Sequence, residues 1–152
     1  MTDPLSFDST TPRFSLPYLF AGQGQKEAFV NESLAIADSL LHCAVEGVAD
    51  SPPNTAADGQ GWLVGSTPSG DWTGRAGHLA FRQAGNWIYC APRDGLRVLD
   101  RSSGQERRFH AAWKAPAGPS LPEGGTVIDT EARAALAAII SALREVGVFP
   151  HS

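Results

Sequence analysis

The feature that most constrains this chain is a change of hydrophobic period at residue 61. From 61 to 114 the apolar residues recur at every second position, the spacing of a half-buried β-strand. Trp62 and Val64 alternate with Leu63, Leu79 and Phe81 share a face, and so do Trp87 and Tyr89. Leu96-Arg97-Val98-Leu99 is a further short strand, and Phe109, Ala111 and Trp113 line a last one. Ser69-Gly70, Ala84-Gly85-Asn86, Asp94-Gly95 and Ser103-Gly104 separate these pieces as turn signals. Short strands at that spacing imply a small antiparallel meander. Sixteen Gly and eleven Pro in 152 residues agree with many turns and few long helices.

Helical periodicity appears on either side of this region. A first helix is expected over 25–42, with Leu34, Ile36, Ala37, Leu40 and Leu41 as its apolar stripe. Asn31 is a candidate cap with Glu32 beside it, which would leave 25–28 as a separate preceding turn. Residues 43–48 read as a strand and 49–60 as a loop. Residues 115–128 form a Pro/Gly linker. A second helix follows over 130–146, with Asp129 as cap, Arg144 in the last turn and Gly147 as its stop. The expected fold class is α+β, mainly β: an extended arm (1–24), a helix plus antiparallel β domain (25–114), the linker (115–128) and a detached C-terminal helix (129–147).

The arm and the last helix carry apolar residues that the β domain does not need. Pro4, Pro12 and Pro17 restrict the arm to extended backbone, yet Phe14, Leu16, Tyr18, Leu19 and Phe20 make it strongly apolar. The last helix has a stripe of Leu136, Ile139, Ile140, Leu143 and Val146. Left bare, both segments would favour aggregation, so the arm is expected to lie on its own domain or on a neighbouring subunit, where it would help hold a homo-oligomer, and the helix to pack on copies of itself or on a partner.

Charge and composition exclude several classes. A formal charge of −4 argues against a general nucleic-acid binder, which displaces counterions with a cationic surface. No apolar run reaches the ~20 residues of a membrane helix. The first residues lack a basic and an apolar signal region, so synthesis in the cytoplasm is expected. Cys43 and Cys90 read as small buried hydrophobes, with a single bridge as the other option. Four histidines spread from 42 to 151 do not suggest a metal site, and no cofactor is expected. No motif assigns catalytic residues, and His42-Cys43 adjacency does not make a dyad.

The indoles have two readings. Each can fill the interior of a small meander, or one can face outward and stack on the C–H face of a sugar ring. Trp72 lies between Gly70 and Gly74 in a loop with few apolar neighbours. It is the first candidate for a glycan site, with Asp71 and Arg75 offering hydrogen bonds to hydroxyls.

The segment from Leu16-Pro17-Tyr18 through Gly22-Gln23-Gly24-Gln25-Lys26-Glu27 to Asn31-Glu32 resembles the opening of the DUF2793 family. The resemblance continues through Trp62-Leu63-Val64-Gly65, Trp72-Thr73-Gly74, Gly85-Asn86-Trp87 and Ala91-Pro92-Arg93-Asp94-Gly95, and covers about residues 13–100. The closing helix from Thr130 is similar to that of many members. The hairpin differs, since the family often has Asp-Gly where this chain has Ala84-Gly85. The resemblance implies a component of a prophage or phage-like gene transfer agent, a head-spike or tail-fibre subunit assembled into an extracellular particle. The implied partners are the chain itself as a trimer or pentamer, other particle proteins and host surface polysaccharide. A carbohydrate-binding module for capsule or cell-wall glycan is the alternative. A small cell-wall hydrolase is the third reading. It would need two facing carboxylates, or a Cys43–His contact with an orienting third group.

Overall fold

A computed structural model describes residues 16–17, 19, 24, 26–125 and 129–150. Phe14, Tyr18 and Phe20 of the expected arm contacts lie outside the described residues. The described elements are α1 (Lys26–Leu40), β1 (Ala44–Val45), β2 (Val48–Ala49), β3 (Gly61–Val64), a 3-10 turn (Gly70–Trp72), β4 (Leu79–Gln83), β5 (Asn86–Cys90), β6 (Arg97–Asp100), β7 (Gln105–His110), β8 (Ala112–Lys114) and α2 (Thr130–Glu145). The fold is α+β and mainly β, with one helix before the strands and a separate one after them. Among the described residues no helix is long and apolar enough to cross a membrane.

The meander is divided between two four-stranded sheets, in the orders β2-β3-β4-β5 and β1-β6-β7-β8. Within each sheet the three later strands pair antiparallel, but the one strand expected through Phe109, Ala111 and Trp113 is broken at Ala111, at φ +56°, into β7 and β8, so that Phe109 pairs with Trp113 across a tight hairpin. The segment expected as one strand over 43–48 is cut in two by Glu46-Gly47. Its first half, β1, pairs parallel with β6, and its second half, β2, pairs parallel with β3. One extended stretch thus forms an edge of both sheets and ties them together.

The main core lies between the sheets, where Val45, Leu63, Leu79, Phe81, Cys90 and Val98 are buried. Gly61 pairs with Phe81 across β3–β4, and a side chain at 61 would run into the Phe81 ring. Cys43 and Cys90 are both buried free thiols, so no bridge joins them. Burial, reinforced by the neighbouring Cys90, pushes the Cys43 thiol up to about 11. Burial pushes Cys90 equally to about 11 against the opposing pull of Arg93.

The helices depart from expectation at particular residues. Asn31 does not cap α1. It lies inside the helix, because the Lys26-Glu27-Ala28 run continues into it as the first turn. Only Ile36 of the α1 stripe is buried, while Leu34 and Leu41 are exposed. Ser33 Oγ donates to the Pro17 carbonyl at 2.7 Å, which holds that point of the N-terminal segment against α1.

Helix α2 follows its local signals closely. The Asp129 carboxylate accepts from the Ala132 N–H at 2.8 Å. At the other end Gly147 N–H donates to Arg144 O and Val148 N–H to Leu143 O, the pair of bonds that closes a helix through a left-handed residue. Gly147 supplies that conformation with φ +74°. The same glycine fastens the helix to the β domain, since its carbonyl accepts from the Glu106 N–H at 2.7 Å. Gln105 Nε2 adds bonds to Val148 O at 2.8 Å and Pro116 O at 2.6 Å. Of the apolar stripe, Ile140 is buried and Leu143 half-buried, but Leu136, Ile139 and Val146 are exposed.

Candidate functional site

The outer face of the β2–β5 sheet carries a second, smaller core. Alternation sends Trp62 and Val64 of β3 to this face and Leu63 to the main core. The loop after β3 folds back across the sheet and sets Trp72 on top. Trp72 meets Trp87 edge-to-face at 5.1 Å between ring centroids, and lies 6.4 Å from Trp62. Trp62 and Trp87 are themselves 5.8 Å apart and nearly perpendicular. Such edge-to-face pairs contribute roughly 0.5–1.5 kcal/mol each beyond area burial.

This arrangement corrects the expected sugar platform. Trp72 is 0% exposed and has no face open to a ligand. The loop looked poor in apolar neighbours only along the sequence; its neighbours Trp62 and Trp87 come from the sheet. Its indole N–H is buried without a hydrogen-bond partner among the described residues. Asp71 and Arg75 remain exposed on either side of it.

What reaches solvent above this core is a row of arginine and aromatic side chains. The two-residue hairpin Ala84-Gly85 sets the register that pairs Arg82 with Trp87. The Arg82 guanidinium lies over the Trp87 ring at 5.2 Å from its centroid. Tyr89 is two residues along β5 on the same face, and the Arg75 guanidinium lies over its ring at 4.7 Å. The Tyr89 hydroxyl donates to the Asp71 carbonyl at 2.7 Å, which fixes the 3-10 turn against the sheet. Burial and the nearby Asp71 carboxylate raise the Tyr89 pKa, opposed by Arg75. Tyr89 therefore stays a neutral donor at ordinary pH.

Sequence reasoning named Asp71 and Arg75 for the site, and Trp87 and Tyr89 among the aromatics that alternation could turn outward, but it missed Arg82. A local signal for Arg82 was present. A two-residue turn at 84–85 places 82 opposite 87, and strand alternation puts 89 beside 87.

His42 is exposed at φ +49° while Cys43 is buried beneath it, so the adjacent pair forms no dyad. His110 Nδ1 lies 3.2 Å from Asp94 on the surface. The Ala111 N–H bond to that carboxylate, with His110 and Arg108 nearby, lowers the Asp94 pKa. Among the described residues no three His, Cys, Asp or Glu side chains converge as a metal site would require.

Residues 30–114, more than half of the chain, match the family described as "Protein of unknown function (DUF2793)". That span runs from within α1 to the end of β8, so it holds both sheets and the arginine-aromatic row and leaves out α2. No curated protein matches the chain.

Proposed function

This chain belongs to the DUF2793 family, and from that premise we propose that it is a structural component of a phage-like particle, a gene transfer agent or prophage. Within it the chain is a head-spike or tail-fibre subunit that takes part in host-surface attachment. The observation that carries this reading is the exposed stripe on α2. Leu136, Ile139 and Val146 are 47%, 55% and 68% exposed, on a helix whose C-terminal turn is fixed to β7. Ile140 is buried and Leu143 half-buried within the chain, but a single subunit gains nothing from leaving the rest of that stripe bare. A subunit repeated around a symmetry axis buries that side against its copies. The stripe spans under three heptads, too little for an independent coiled coil, so it adds to an existing contact. The exposed Leu19 belongs to the same reading of the N-terminal segment as a second contact.

Two measurements test this. Light scattering of the purified chain is expected to give a trimer or pentamer, and Ile139→Glu with Val146→Glu to give a smaller species with the β domain intact. Mass spectrometry of particles purified from producing cells is expected to contain the chain. A monomeric parent absent from the particles would overturn the proposal.

A further inference from the structure

The arginines of the two sheets are used differently. On the β1–β8 sheet Arg97, Arg101 and Arg107 each lie within 4 Å of a carboxylate: Glu106, Glu46 and Asp100. On the outer face of the other sheet Arg75 and Arg82 lie against aromatic rings instead, and among the described residues neither pairs with a carboxylate. A guanidinium stacked on a ring keeps its N–H donors in its own plane, at the edge of the stack. The rings hold both guanidiniums in place, and among the described residues neither side chain donates a hydrogen bond, so donors remain for a ligand. Ordering a long side chain is a large part of the cost of binding an anion, and here that cost is met in the unbound protein.

The rings beneath belong to Trp87 and Tyr89, neighbours on one face of β5, about 7 Å apart along the strand. The two guanidiniums, Arg75 from the loop before β4 and Arg82 from β4 itself, thus form a short cationic row above β5. The same stacking covers the ring faces that a neutral sugar would use. The row suits carboxylate or phosphate, which a guanidinium fork binds through two parallel hydrogen bonds.

We propose that Arg75 and Arg82, propped on Tyr89 and Trp87, form a binding site for an anionic polysaccharide, engaging carboxylate or phosphate groups along the polymer. This deepens the attachment reading above and rests on it for its setting, while the chemistry is that of the row itself. Asp71, exposed beside Tyr89, favours a polymer with spaced charges over a dense one, because it repels any anion placed directly upon it. The overall charge of −4 acts in the same direction against nucleic acid.

The test is calorimetric titration of the full-length chain with four polymers: polygalacturonate, a phosphate-bearing mannan, neutral dextran and single-stranded DNA. Binding to one or both of the first two is expected, weakening as salt rises, with none to dextran. The polymer that binds distinguishes the carboxylate source from the phosphate source. Arg75→Gln and Arg82→Gln are each expected to weaken binding about tenfold, as for loss of one charge-assisted contact. Arg75→Lys should fall between, because it keeps the charge and loses the fork. Thermal unfolding of each variant checks that the fold is kept, and Arg75, on an exposed loop, gives the cleaner variant. Light scattering of the same samples reads assembly separately, so a failure of binding and a failure of self-association are distinguishable. Binding to neither anionic polymer, equal binding of dextran or DNA, or undiminished binding by folded variants would overturn the proposal.

Discussion

The Asp100 carboxylate, sealed from solvent, receives both Nε and Nη2 of Arg107 on one oxygen, each at 2.8 Å. Its other oxygen accepts from the Ser102 N–H at 3.0 Å and the Ser102 hydroxyl at 2.6 Å. One side chain thereby fastens the β6–β7 turn and the inner face of that sheet. Removing one member of such a pair leaves an unmatched buried charge. Asp100→Ala is expected to destabilise the β domain by about 3–5 kcal/mol, read as a lower denaturation midpoint with an unchanged slope.

The same group sets a direction for acid sensitivity. Burial alone would raise the Asp100 pKa, but the Ser102 and Arg107 hydrogen bonds outweigh it, and the net shift is downward. A carboxylate with a lowered folded pKa contributes stability above its unfolded pKa of about 3.9 and loses it as pH falls toward the folded value. Chemical denaturation between pH 7 and 2 should show that loss below about pH 4. Asp100→Asn should flatten that part of the curve.

The β4–β5 hairpin turns on Ala84 and Gly85, at φ +48° and +75°. Both angles are left-handed, as a type I′ turn requires, and alanine carries a steric cost there that Asn and Gly largely avoid. The Asp58 carboxylate, which accepts from Gly85 N–H at 3.2 Å, already supports the turn. Ala84→Asn is expected to raise stability by about 0.5–1 kcal/mol, measured as a higher Tm.

Trp72 presents two separable effects. Its ring fills the small core, so Trp72→Ala should cost about 3–5 kcal/mol. Its N–H is buried without a partner among the described residues, so Trp72→Phe removes an unsatisfied donor along with part of the ring. The Phe variant should lie at least ~2 kcal/mol closer to the parent than the Ala variant by equilibrium denaturation.

Both cysteines should behave as inert thiols. With each pKa near 11, only about one in a thousand is thiolate at pH 8. A thiol reagent is expected to modify neither within minutes in the native chain and both at once in denaturant. Rapid native labelling at either position would contradict the buried placement.

The sequence by itself determined the features that depend on a few neighbouring residues. Asp129 and Gly147 mark the ends of α2, because a cap and a left-handed stop act within one helical turn. The two-residue period and the Ala84-Gly85 turn determine which strands pair antiparallel and bring Arg82 opposite Trp87. Only the tertiary structure decided what depends on residues far apart in the chain. Val45 pairs with Asp100 and Ala49 with Val64 through parallel ladders that no local signal announces, since parallel pairing rests on contacts made after the chain has closed on itself. Trp72 looked exposed in its own loop and became the centre of a core, because burial is set by what the opposite sheet face supplies. Arg75 and Arg82 lie over aromatic rings for the same reason: Tyr89 and Trp87 are brought beneath them by strand pairing and by the fold of the loop, not by their neighbours in sequence.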